Sequence, residues 1–207
     1  MTVFRILHVC TGNICRSPIA ERLTRRGLDE RLGAHASRFS VTSAGTWGHE
    51  GSGMELGALQ ALGEMGVDGR DFRARELAGD QVRGADLVLG ATREHRAQVV
   101  TVVPEALRRT FTLREFARTV AVVVADAGGP EAWPLDPVER ARAVVAATAA
   151  RRGSVPGALP GDDDVADPYG APLQAFRRCA LTIADALVPA LDALAGPAAQ
   201  PAARAGS

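Results

Sequence analysis

Phe4-Arg5-Ile6-Leu7-His8-Val9-Cys10-Thr11-Gly12-Asn13-Ile14-Cys15-Arg16-Ser17-Pro18 is the stretch on which the fold turns. Phe4–Val9 is a short apolar run with β-branched members, the pattern of a buried strand. The loop Cys10–Ser17 follows at once, and Pro18 stands where the first turn of a helix tolerates it. From Ile19 to Leu32 the residues Ile19, Ala20, Leu23 and Leu28 fall on one helical face. Glu21 comes early and arginines later, as the helix dipole prefers, and Gly33 ends the run. Strand, loop and helix in this order open an α/β fold.

The loop itself has a chemical pattern. Cys10 and Arg16 stand six positions apart, with Gly12 between them and Ser17 directly after. Gly12 is expected to let the backbone curl, so that successive amides of Thr11, Gly12, Asn13, Ile14, Cys15, Arg16 and Ser17 converge on an anion. The helix start adds its positive end, and Arg16 can fork onto two phosphate oxygens. The same positive field favours the thiolate of Cys10, and Ser17 can donate a hydrogen bond to the sulfur. Free cysteine is commonly a small buried hydrophobe, and a Cys-x5-Arg spacing alone carries little. Its position between a buried strand and a helix, with Gly12, Asn13, Ser17 and Pro18, is what gives it weight.

Outward from this unit, Phe39–Ala44 reads as a second strand closed by Gly45, and a helix is expected over about Met54–Met65. Ala85–Gly90 reads as a third buried strand, followed by a helix from about Arg93 to Val102. Phe111–Leu113 reads as a short strand leading into a turn at Arg114–Arg118. Strands alternating with helices predict a parallel sheet covered on both faces. Asp126–Pro137 is rich in Gly, Pro and Ala. A helix over Val138–Arg151, a turn-rich stretch Gly153–Asp164 and a last helix over Leu173–Leu194 complete the pattern. The end of the chain, 195–207, reads as a disordered tail.

Composition narrows the function. The 207 residues are 46% hydrophobic, 23% charged and 4% aromatic, which suits one globular domain, 1–194, with an Ala/Val/Leu core. Lys plus Arg (24) cancels Asp plus Glu (24), so no global field draws the chain to nucleic acid or to an anionic membrane. No apolar run reaches the roughly 18 residues of a membrane span, and the N-terminus does not read as a signal peptide. Three cysteines form no closed disulfide framework, so a reducing cytoplasm is expected.

Val9–Pro18, with Ala20-Glu21 just beyond, resembles the signature of the low-molecular-weight protein tyrosine phosphatase family. Ser43-Ala44-Gly45-Thr46 is similar to its next motif. Ala74-Arg75 before Leu77, and Asp86-Leu87-Val88-Leu89, are similar to its middle segment, and Asp167-Pro168-Tyr169 to its general-acid loop. The resemblance runs over about residues 3–118 and 163–194. It implies a three-layer fold with a four-stranded parallel sheet, and a two-step mechanism that needs no metal or cofactor. Cys10 would attack phosphorus, Arg16 would clamp the phosphate, and Asp167 would act first as acid and then as base. Asn13 would shape the loop with Ser43 as partner. Tyr169 and Trp47 would wall the opening, and Cys15 could pair with Cys10 on oxidation. The substrate would be a phosphorylated protein or a small aryl or alkyl phosphate.

The remaining histidines and the third cysteine have plainer readings. His8 reads as a core or hydrogen-bonded histidine, His95 as a solvated helix residue and Cys179 as core. Residues 119–162 are longer than the family needs and read as an insertion ahead of the acid loop. Gly170 stands where a second aromatic is common, and Thr92 where an acidic residue is. Two other functions stay open at this point. Arsenate reduction would use the same loop, but the stretch Gly84–Arg93 lacks the relay cysteines, so an external thiol would be required. A phospho-ligand binding module would need the loop but neither the thiol nor Asp167.

Overall fold

The computed structural model describes residues 2–155, 159 and 161–197. The apolar run becomes β1, Phe4–Cys10, and the first helix, α1, spans Arg16–Leu32. β2 (Phe39–Gly45), α2 (Leu56–Glu64), α3 (Gly79–Gly84), β3 (Leu87–Gly90), α4 (Arg93–Val102) and β4 (Thr110–Thr112) follow. The chain ends in α5 (Leu113–Asp126), α6 (Pro137–Ala150) and α7 (Leu173–Ala195). The strands form one four-stranded sheet in the order β2-β1-β3-β4, every neighbouring pair parallel. This is the expected three-layer α/β architecture.

Burial on both faces explains why β1 is mostly apolar, with only Arg5 exposed at its start and His8 as its buried polar member. Phe4 and Ile6 face one layer, where they meet buried residues of α1, α5, α6 and α7. Leu7 and Val9 face the other, against Val82 of α3 and Val99 of α4. A parallel strand covered on both faces has no side to give to water. The strand register aligns Cys10 with Gly45 and Val9 with Gly90, so the carboxyl ends of β1, β2 and β3 finish together. In open parallel sheets that edge, at the switch in strand order, is where ligands bind.

Two segments depart from the sequence expectation. The turn expected at Arg114–Arg118 is instead the start of α5. Thr112 accepts from the Glu115 amide at 3.0 Å, and the Glu115 carboxylate accepts from the Thr112 amide at 3.2 Å, a reciprocal cap that starts the helix directly from the strand. Leu113, Phe116, Ala117, Val120 and Val123 then form its buried stripe. α3 was not anticipated; at six residues it is too short for a periodic signal. The 119–162 stretch supplies the second half of α5 and all of α6, whose first turn is capped by Asp136. α6 buries Val138, Ala141, Val144 and Val145 against the rest of the core. Part of the turn-rich Gly153–Asp164 stretch (residues 156–158 and 160) and the tail from 198 onward lie outside the described residues. No described helix is long and apolar enough to cross a membrane.

Phe116 is fully buried and meets Phe111 edge-on, with ring centroids 5.2 Å apart. Truncation to Phe116→Ala should cost about 3–5 kcal/mol in urea denaturation. A turn residue would cost a small fraction of that, so a loss below about 1 kcal/mol would contradict the helical assignment.

Candidate active site

The Cys10–Ser17 loop leaves β1 over the end of β2, and Asn13 fixes its shape. Asn13 is fully buried and is the one described non-glycine residue with a left-handed backbone, at φ 53°. Asparagine tolerates that region better than most residues, and here its amide is used in full. The Arg75 amide donates to Asn13 Oδ1 at 2.8 Å, which settles which end of the side chain is oxygen. Nδ2 then donates to Ser17 Oγ and to Ser43 Oγ, both at 2.8 Å. Ser43 passes its own hydrogen to the buried Glu21 carboxylate at 2.6 Å. Ser17 Oγ lies 2.9 Å from Cys10 Sγ and donates its hydrogen to the sulfur when Cys10 is a thiolate. The expected Asn13–Ser43 pairing is present, and the bonds from Nδ2 and to Glu21 take their direction from the donor count.

Gly12 has a different reason from the expected one. The left-handed turn belongs to Asn13, whereas a Cβ at Gly12 would come within 2.7 Å of His49 Cδ2, so the His49 ring would have to shift. The carbonyls of Cys10, Thr11, Ile14 and Cys15 are taken by amides of Thr46, Trp47, Glu55 and Ile19. The amides of residues 11–15 find no acceptor among the described residues. A loop whose carbonyls are turned outward and whose amides are unspent is a ready anion nest.

Arg16 begins α1 and is only 5% exposed. Nη1 donates to the Val165 carbonyl at 3.3 Å, and Nη2 to Thr11 Oγ1 at 3.2 Å and Asp167 Oδ2 at 2.6 Å. Nε is buried with no partner. Asp167, half exposed, reaches the site from a segment anchored several ways. Val165 donates its amide to Ala91, Arg114 binds the Asp164 carbonyl, and Arg93 and Arg118 converge on Asp163. Burial opposes the charge on Asp163, but the hydrogen bonds from Arg118 and Arg93 outweigh it and hold the carboxyl below its usual value.

These groups share one cavity of about 150 Å³, lined by Cys10, Thr11, Gly12, Ile14, Cys15, Arg16, Trp47, His49, Asp167 and Tyr169. Trp47 and Tyr169, exposed by 67% and 63%, stand on its rim as expected. His49 lies between them, 5.7 Å from the Trp47 ring and 6.5 Å from Tyr169. Cys15 is buried, and burial first, then neighbouring Cys10, pushes its thiol up. Cys179 is buried in α7 as expected, its thiol pushed up to about 12 by burial.

His95 corrects the sequence reading outright. Rather than a solvated helix residue it is buried, with Nε2 2.9 Å from Thr11 Oγ1 and Nδ1 2.7 Å from Thr92 Oγ1. Burial, then the charge of Arg16, lowers it to about 4 against the opposing pull of Asp167 and Asp164. His8 is in the core as expected, 3.0 Å from Thr24 Oγ1, and burial lowers it to about 3. Glu21 lies in α1 as read, but buried, a place its sequence position did not show. Beyond its bond to Ser43 it pairs with Arg25 at 2.6 Å and faces Arg75 at 3.6 Å.

Comparison with known proteins gives a consistent result. The profile of the low molecular weight phosphotyrosine protein phosphatase family matches residues 5–132. A protein-arginine-phosphatase of Geobacillus stearothermophilus is 37% identical over 128 residues, 61% of this chain and 81% of that protein. A low molecular weight protein-tyrosine-phosphatase of Streptomyces coelicolor is 30% identical over 176 residues, 85% of this chain and 84% of its own. The crystal structure of a low molecular weight protein tyrosine phosphatase from T. tengcongensis superposes with a TM-score of 0.64 at 27% identity, covering 91% of this chain and 98% of that one.

The two buried histidines set an acid limit. Their folded values lie near 3 and 4, below the 6.5 of an exposed imidazole, so between those values the unfolded chain binds protons that the folded chain refuses. Stability is therefore intact above about pH 6.5 and lost as the pH falls toward 4. Urea denaturation at pH 7.5, 5.5 and 4.5 should show the unfolding free energy dropping by about 2–3 kcal/mol per pH unit over the lower interval. A flat profile would mean that neither imidazole is held neutral.

Proposed function

Since the chain belongs to the low molecular weight phosphotyrosine protein phosphatase family, we propose that it hydrolyses aryl phosphomonoesters, phosphotyrosine in proteins above all, with Cys10, Arg16 and Asp167 as its catalytic residues. The observation that carries this reading is Arg16. Its buried guanidinium, with Nε unpartnered, faces the same cavity as Cys10 Sγ and the unspent loop amides. A buried donor without an acceptor is costly unless a ligand supplies one, and a phosphate dianion does.

The chemistry follows in two displacements. Cys10 Sγ attacks phosphorus and forms an S–P bond as the P–O ester bond breaks. Asp167 gives its proton to the departing oxygen. Arg16 and the amides of Thr11, Gly12, Asn13, Ile14, Cys15 and Ser17 hold the three non-bridging oxygens as charge shifts among them. Asp167 then takes a proton from water, the water oxygen attacks phosphorus, and the S–P bond breaks to release phosphate. The Ser17 hydroxyl stabilises the sulfur both as attacking and as leaving group. In the unliganded protein Asp167 sits on Arg16 Nη2, so an incoming phosphate takes that place and leaves Asp167 beside the ester oxygen.

Preference for an aryl ester rests on the rim. Ile14, Trp47, His49 and Tyr169 offer apolar and aromatic surface to a flat ring, and Asp167 is the one acidic group among the lining residues. A guanidino phosphate would call for more carboxylate. The free thiols fit a reducing cytoplasm, and the balance of charge adds no attraction to nucleic acid or membrane. Under peroxide the Cys10 thiolate would become a sulfenic acid, from which the Cys15 sulfur displaces water to give a disulfide, sparing Cys10 from further oxidation. Residues 119–162 form an insertion within a single domain spanning 1–194, and their end leads into the acid loop.

The test compares an aryl phosphate, a phosphotyrosine peptide, a phosphoarginine peptide and arsenate as substrates for the wild type, Cys10→Ser and Asp167→Asn. Turnover of the first two should vanish in Cys10→Ser and fall by about 100-fold in Asp167→Asn. Arsenate reduction without ester hydrolysis would overturn the reading in favour of a thiol-dependent reductase. Tight phosphate binding with no turnover would make the chain a phospho-ligand module, and faster turnover of phosphoarginine would reverse the substrate class.

A further inference from the structure

Beneath the loop a chain of hydrogen bonds runs from α4 to the clamp, and the mechanism above does not use its first half. Thr92 caps α4, its Oγ1 accepting from the His95 amide at 3.3 Å. Its own hydroxyl hydrogen has His95 Nδ1 as an acceptor 2.7 Å away. We assign the ring hydrogen to Nε2, directed at Thr11 Oγ1 at 2.9 Å, the tautomer in which Nδ1 takes the Thr92 hydrogen. Thr11 Oγ1 also accepts from Arg16 Nη2 at 3.2 Å. Both lone pairs of the Thr11 hydroxyl are then engaged, one by His95 and one by Arg16.

Arg16 has few other supports. Val165 holds Nη1, and Asp167, the third partner, occupies ground that a phosphate would claim. Once Asp167 is displaced, Thr11 is the remaining protein acceptor on Nη2. Thr11 is itself an exposed residue at the pocket, and an exposed threonine has three rotamers open to it unless something fixes χ1. His95 is that fixture: it is buried, it is braced by Thr92, and it is not among the residues that line the pocket.

Resting on the phosphatase reading of this site, we propose that His95 is a positioning residue for phosphate binding: through a hydrogen bond from Nε2 it locks Thr11, and Thr11 in turn holds the Arg16 guanidinium edge square to the phosphate. His95 touches neither substrate nor sulfur. Arg16, Asp167 and Asp164 are the charges that face it, and next to Arg16 a neutral donor does the work without adding a second positive charge. The arrangement also accounts for Thr92, where an acidic side chain would draw a proton onto Nδ1 and tend to make the ring cationic.

The decisive measurement is inorganic phosphate affinity by calorimetry, together with kcat and KM for an aryl phosphate. The proteins are the wild type, His95→Ala, His95→Gln, His95→Asn, Thr11→Val and the Thr11→Val/His95→Ala double variant. Glutamine places an NH donor near the Nε2 position and asparagine near Nδ1. His95→Ala and Thr11→Val should each weaken phosphate binding by about tenfold and raise KM similarly. The double variant should be no worse than either single one, because both break the same link. His95→Gln should recover most of the affinity and His95→Asn should not. Wild-type affinity in His95→Ala, additive losses in the double variant, or equal behaviour of the Gln and Asn variants would each overturn the proposal. Should His95→Ala fail to fold, the Gln, Asn and Thr11→Val arms decide alone. Phosphate affinity is read without turnover, so an inactive wild type that still binds phosphate would count against the phosphatase reading and leave this one to its own result.

Discussion

The Asn13 side chain is the point from which the candidate site hangs. A left-handed backbone at a residue with a Cβ costs about 1–3 kcal/mol, and it persists only where surrounding contacts outweigh it. Here three contacts do so, and each comes from a different part of the chain: Ser17 on α1, Ser43 on β2 and the Arg75 amide beyond α2. Their combined effect is more than shape. Glu21 takes the hydrogen of Ser43 and Asn13 donates to Ser17, whose own hydrogen is available to a Cys10 thiolate 2.9 Å away. A buried carboxylate is thereby linked through Ser43, Asn13 and Ser17 to the sulfur. Such a relay tolerates no half-satisfied member, since each unpaired buried group costs more than a formed bond returns.

Charge at the site is arranged on the opposite principle. Asn13 is saturated, whereas Arg16 is left one bond short at Nε in an almost fully buried position. The segment carrying Asp167 is tied to α4 and α5 through Asp163 and Asp164, but Asp167 itself remains half exposed. An anchored segment whose carboxylate stays half exposed suits a group that must leave Arg16 when phosphate arrives and still return to the same place. The sheet and its helices thus supply two kinds of support: a fully paired frame under the nucleophile, and an underfilled clamp whose last partner is the ligand.

How much of this was legible in the sequence depended on whether the cause was local. β1, β2 and α4 were read almost to the residue, because apolar period and flanking glycines are properties of adjacent positions. Cys10, Arg16, Asn13 with Ser43, and Asp167 were found through their motifs, and the structure brings all of them to one cavity or its immediate support. α5 was mistaken for a turn: Arg114, Glu115 and Arg118 look like a polar break, and the Thr112–Glu115 cap that starts a helix there was overlooked. His95 was misread since Arg93-Glu94-His95-Arg96 is polar in sequence, while its burial comes from the loop and the acid segment folding over it. His49 and the true reason for Gly12 are one fact seen from two sides, a contact across 37 residues of chain that neither position announces.

The glycines at the strand ends carry the last step. Gly45 ends β2 where a Cβ would lie 2.5 Å from the Thr11 carbonyl oxygen and 3.0 Å from the Asn13 amide nitrogen. Gly90 ends β3 where a Cβ would lie 3.0 Å from the Arg96 nitrogen. Both flanks of β1 therefore finish bare, which lets the loop settle onto β2 on one side and the first turn of α4 settle onto β3 on the other. That double approach is what brings His95, from the far flank, within 2.9 Å of Thr11. Since the contacts at Gly45 are with backbone, no rotamer change can absorb an added methyl; the loop would have to lift. Lifting it would part Thr46 from the Cys10 carbonyl and Trp47 from the Thr11 carbonyl, two of the bonds that hold the loop down at the end of β2. The floor of the cavity is set by how closely main chain can approach main chain, and the side chains that do chemistry there inherit their distances from it.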